Sequence, residues 1–145
     1  MNAEFLSFEM RVQLAIGEAL RKDLGAKLQE VIMLSDYSTM RCTFSGSDSQ
    51  HSLTVSVDTE GNTKGPVTLT WPFTNSKEGL LFPVGMDYNT ARNLFDDVYP
   101  RMAWSHVVLR NPDTQPTVNP EFVFAVGSGY VVVDTVTEQV YMVNR

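Results

Sequence analysis

Three short segments near the end of this chain are apolar on both of their alternating faces. They are Phe122, Val123, Phe124, Ala125 and Val126; Tyr130, Val131, Val132 and Val133; and Val140, Tyr141, Met142 and Val143. A strand sends successive side chains to opposite sides, so such a run needs cover on both. Gly127, Ser128 and Gly129 join the first two segments, and residues 134–139 join the last two, each with turn chemistry. A meander is expected, either sandwiched in the middle of the molecule or with one face meeting another chain.

Upstream, the same period carries only one apolar face. Met40, Cys42 and Phe44 oppose Thr39, Arg41, Thr43 and Ser45; Leu53, Val55 and Val57 oppose Ser52, Thr54, Ser56 and Asp58. Val67, Leu69, Trp71 and Phe73 oppose Thr68, Thr70 and Thr74. This pattern predicts three antiparallel strands, covered on one side and wet on the other. The cover is expected from a helix over residues 3–31. There Phe5, Phe8, Val12, Ile16, Ala19, Leu20, Leu24, Leu28 and Val31 recur at steps of three or four, with Gly25 as an interruption.

Residues 75–79 read as a turn. Pro83 makes the apolar stretch after them an edge strand or a packed loop, because it cannot donate to a ladder. Asp87 caps a second helix through Tyr99, stopped by Pro100. A strand is expected over 104–110. Pro112, Pro116 and Pro120 make 111–120 a surface loop. No internal repeat and no low-complexity segment is legible. The predicted fold is α+β in a single domain over 1–145. Its meander-like antiparallel sheet of about six to seven strands packs against a long N-terminal helix and a second helix near 87–99.

The chemistry-bearing residues are sparse. Eleven Lys and Arg are scattered in a chain of net charge −6, so no basic stripe exists to neutralise phosphates, and no nucleic-acid partner is expected. Cys42 is the only cysteine and shares its register with Met40 and Phe44, which reads as a buried thiol. His51 and His106 have no ligand-type neighbours at metal spacing, so no metal is assigned. There is no G-x-S-x-G elbow and no glycine-rich phosphate loop, and Asp96 and Asp97 diverge on their helix. No catalytic residue and no cofactor is assigned. Without a secretory signal or an apolar run of about 18 residues, the expected location is cytoplasmic or virion-associated, with no membrane partner.

The residues better suited to meeting a partner are apolar. Leu80, Leu81, Phe82, Val84 and Met86 are strongly apolar for a segment that Pro83 keeps out of a central strand, and Tyr130, Val132 and Tyr141 occupy the surplus face of the C-terminal strands. In order of elements, 5–73 and 87–98 resemble the type III secretion chaperones. The chain departs from them by ending in apolar strands where a third helix would stand. It also resembles the small α+β connector and terminator proteins of phage particles. With no catalytic motif and surplus apolar surface at the C-terminal end, the expectation is a protein-binding, self-associating accessory protein, viral or bacterial, that forms a homo-oligomer or has an obligate protein partner. A non-enzymatic interaction or assembly module is the expectation. The alternatives are a small acidic secretion-chaperone-like binder and a small enzyme whose site only the fold assembles.

Overall fold

The computed structural model describes residues 5–73, 78–112 and 119–144. Ser7 starts the first helix: its hydroxyl accepts the Met10 N–H at 3.1 Å, and α1 runs over Phe8–Lys22. Glu9 in the first turn and Arg21 and Lys22 in the last complement the helix dipole. Asp23 ends the helix. Its carboxylate takes the N–H groups of Gly25 at 2.9 Å and Ser47 at 2.8 Å.

The helix is therefore shorter than its apolar spacing suggests, and Lys27–Leu34 form strand β1 instead. A bulge between Leu28 and Glu30 leaves Leu28 and Gln29 both buried, which breaks the two-residue period and makes Leu28 and Val31 look helical. Leu24, counted in the helical stripe, is 90% exposed.

The remaining elements are β2 (Met40–Ser45), β3 (Ser52–Val57), β4 (Thr63–Leu69), α2 (Tyr88–Val98), β5 (His106–Arg110), β6 (Glu121–Val126), β7 (Gly129–Asp134) and β8 (Val140–Asn144). Asp87 caps α2 by accepting the Thr90 N–H at 2.8 Å. All eight strands form one antiparallel sheet in the order β4-β3-β2-β1-β5-β6-β7-β8, so there are more strands than the sequence pattern implied. Most of the turn read at 75–79 and of the loop read at 111–120 lies outside the described residues.

Both helices pack on the same face of the sheet, α1 over β2, β3 and β4, and α2 over β7 and β8. Between them runs an aromatic seam. Phe8 stacks on Tyr88 at 5.2 Å, Tyr88 meets Phe122 and Phe124, and Phe124 stacks on Phe95 at 4.6 Å. Glu9 ties the helices together by accepting the Tyr88 N–H at 2.9 Å, a carboxylate at the positive end of α2. Arg11 is buried under α1, where it donates to Val57 O at 2.7 Å and Tyr37 O at 2.9 Å.

The topology is a helix and four strands, repeated, with the two halves meeting at the β1–β5 pair. One constant offset carries the buried Val12, Ala15 and Ala19 of α1 onto Tyr88, Ala91 and Phe95 of α2. The same offset carries Val31 and Met33 onto Val107 and Leu109, Val55 and Val57 onto Val131 and Val133, and Asp58 onto Asp134. The expectation of no internal repeat is thus corrected. The repeat is hidden because only burial is shared at many of these positions, and because β2 and β6 fall out of frame. The 111–120 connection is longer than 35–39, while 127–128 replaces the longer 46–51.

One strand turns its apolar residues away from the helices. The register of β3 and β4 shifts between Thr54 and Ser56, with Gly65 at φ +101° in the extra position. Val67 then pairs with Thr54 and Leu69 with Ser52, on the Ser/Thr-rich face. The alternation of β4 is as read from the sequence, but the bulge inverts which face it serves.

Candidate protein-interaction face

Across the sheet from the helices, the register aligns side chains in rows. Ile32 stands beside Val108, Val108 beside Val123, Val123 beside Val132, and Val132 beside Tyr141. A second row holds Leu34, His106, Ala125, Tyr130 and Val143. No described helix or strand packs over either row. Val123, Ala125 and Val132 are each only 5% exposed, yet they lie outside the main core cluster under the helices. Toward the rim, Leu34, Tyr141 and Val143 are 42%, 45% and 43% exposed.

One side of this apolar band is bounded by charge. Glu30 pairs across β1 and β5 with Arg110, and Arg110 with Glu121, whose carboxylate lies 3.7 Å from the guanidinium. Burial pushes the Glu30 carboxyl above its ordinary value, against the pull of Arg110 and Arg41. An apolar centre with a charged border matches the anatomy of protein interfaces.

The structure sorts the interface candidates into two groups. Tyr130, Val132 and Tyr141 come together on the open face. Leu80 and Met86 are core residues, and Phe82 and Val84 pack against that core, while Leu81 is the one candidate of the five that is well exposed. The segment is held down by Leu80 N–H donating to Leu28 O and by Asn111 donating to Gly79 O. Apart from Leu81, its apolar side chains pack into or against the folded core. Ile32, Leu34 and Val108 complete the face. They were missed because β1 reads as helix and because a face shared by distant strands becomes visible only with the register.

Two concave places were tested for chemistry. A cavity of about 150 Å³ beside Arg11 is lined by Phe5, Leu6, Phe8, Met33 and Tyr88, but both terminal nitrogens of Arg11 are already committed to protein acceptors. A shallow groove of about 420 Å³ gathers Lys22, Asp23, Ser47, Asp48 and His51. There the His51 Nδ1 lies 2.9 Å from Asp48, and that hydrogen bond holds the Asp48 carboxyl below its ordinary value. Asp48 also accepts the N–H groups of Gln50 and His51, so it organises its own turn. No hydroxyl or thiol among the described residues bonds to the other ring nitrogen of His51, and a triad needs one. Among the described residues no three His, Cys, Asp or Glu side chains gather as a metal site would require.

No family model matches the chain, and no curated protein matches it. Among solved structures it is similar in fold to a protein from Clostridium difficile 630 described as a putative lipoprotein, with a TM-score of 0.66 and 13% identity. The alignment covers 99% of this chain and 96% of the other. At that identity the likeness is one of fold. No helix among the described residues is long and apolar enough to cross a membrane.

Proposed function

We propose that this domain is a non-enzymatic interaction module that binds protein, another copy of itself included, through the open face of β1 and β5–β8. One observation supports the reading above the rest: the row Ile32, Val108, Val123, Val132 and Tyr141 spans five strands without a charge and without a helix over it. Apolar surface gains roughly 25 cal/mol per Å² on leaving water, so the exposed part of this face, at Leu34, Tyr141 and Val143, favours association. The role suggested is that of a viral or bacterial accessory protein working inside the cell or in a virion, with no nucleic acid, membrane or cofactor involved. The groove at His51 is the seat of the enzymatic alternative, and its exposed, turn-committed Asp48 argues against it.

The test is a charge at Val108, in a central strand of the face and far in sequence from the sheet edges. Light scattering and native mass spectrometry should show wild-type protein in a complex. Val108→Asp should release the free chain while circular dichroism stays unchanged. Wild-type protein that is single and partnerless in both measurements would sink the reading.

A further inference from the structure

The two edges of the sheet are built differently. At β4 the bulge at Gly65, the missing N–H of Pro66 and the charge of Lys64 all discourage another strand from docking. At β8 none of these devices is present: Val140–Asn144 holds four apolar residues and no charge, and its register with β7 is unbroken. The alternation of the ladder fixes which groups face outward. Asp134 N–H donates to Gln139 O, so Val132–Tyr141 and Tyr130–Val143 are the hydrogen-bonded pairs within the sheet. The N–H and C=O groups of Val140, Met142 and Asn144 therefore point away from β7.

Resting on the interaction-module reading, we propose that β8 pairs antiparallel with β8 of a second copy of this chain, about a two-fold axis at Met142. This centre pairs Met142 with the partner's Met142 and Val140 with the partner's Asn144, so the outward-facing backbone groups of both strands meet. It also sets Tyr141 opposite the partner's Val143, twice. The edge is self-complementary because no charged residue meets its like, and a closed two-fold pair is the commonest assembly of identical chains. The band of Val123, Val132 and Tyr141 then continues from one copy into the other, and the bare edge is removed.

The experiment uses the intact chain and two double variants at the exposed positions of β8. Tyr141→Lys with Val143→Lys sets Lys against Lys at both cross-strand pairs. Tyr141→Lys with Val143→Glu sets Lys against Glu. Light scattering at rising concentration should give a dimer for the wild type, a monomer for the Lys/Lys variant and a dimer again for the Lys/Glu variant. In the wild-type dimer the amides of Val140, Met142 and Asn144 should gain protection from hydrogen exchange. If both variants are monomeric, the copies meet face to face; the edge pairing is overturned and the open-face reading stands. If both stay dimeric, or the three amides exchange freely in the dimer, edge pairing is likewise overturned. A wild type that stays monomeric overturns it too, and native mass spectrometry then decides whether another protein occupies the face.

Discussion

Asp58 and Asp134 close equivalent hairpins with equivalent bonds. One oxygen of Asp58 accepts the N–H groups of Glu60 and Asn62, both at 2.9 Å, while its own N–H donates to Asn62 O at 3.0 Å. One oxygen of Asp134 accepts those of Val136 at 2.8 Å and Thr137 at 2.9 Å, while its N–H donates to Gln139 O at 2.9 Å. Each carboxylate replaces a backbone turn acceptor at the start of a β–turn–β unit, β3 to β4 in one half and β7 to β8 in the other. The repeat is thus visible in the side chains that fix its turns as well as in its topology.

Asp58→Ala and Asp134→Ala should each lower the denaturation midpoint at neutral pH, and by similar amounts. The N–H bond from Asn62 holds the Asp58 carboxyl below its ordinary 3.8. At Asp134 desolvation pulls upward, and the N–H groups of Thr137 and Val136 overcome it, so this carboxyl is lowered too. Lowered carboxyls contribute stability above their unfolded pKa and lose it as pH falls through the folded one. The deficits of both variants should therefore fade as urea titrations are carried into acid below that value. A deficit that persists undiminished there would show that the bonds are not the cause.

Arg11→Met keeps the apolar stem but removes the donors to Val57 O and Tyr37 O. Arg11 is 1% exposed, so Val57 O, at least, loses its donor away from water. Leaving buried acceptors unpaired costs about 1–3 kcal/mol each, and a total loss of about 2–4 kcal/mol is expected from chemical denaturation. A loss below about 1 kcal/mol would mean that water reaches both carbonyls.

Most of the fold was legible wherever one period ran without a break. The Asp87 cap, the stripe of Ala91 and Phe95, and the alternations of 40–44 and 53–57 reappear as α2, β2 and β3. The failures have a common cause in bulges. At Leu28/Glu30 a bulge disguised β1 as helix, and at Thr54/Ser56 another turned Val67 and Leu69 to the opposite face. For the site, the two-sided apolar character of β6, β7 and β8 announced a face in need of cover. Which residues complete that face depends on β1 lying beside β5, a pairing of segments far apart in sequence that no local pattern carries.

Gly65→Ala tests the second of those bulges. At φ +101° an L side chain is strained, and a Cβ there would lie 2.7 Å from Thr54 O and 3.0 Å from Val67 N. A destabilisation of about 1–3 kcal/mol is expected. Hydrogen exchange should show β4 loosening while β6 and β7 keep their protection. An unchanged melting temperature would show that β4 pairs without the bulge.

Cys42 gives a probe of how the core opens. The thiol is fully buried between Val31 and Val55 in the register, and burial pushes it up to about 12, with Arg11 pulling weakly the other way. A thiol reagent should react slowly with native protein and rapidly in denaturant, because the reactive thiolate is both hidden and disfavoured. The raised pKa fixes the sign of the linkage. The thiol's contribution to stability is intact below its unfolded value of 9.0 and is lost as pH rises toward about 12. In that window the slope reaches about 1.4 kcal/mol per pH unit for one proton. Cys42→Val keeps the packing and has nothing to ionise, so its stability should fall less steeply above pH 9 than that of the wild type. Parallel alkaline curves for the two proteins, or fast labelling of the native wild type, would place Cys42 in contact with water and invert the register assigned to β2.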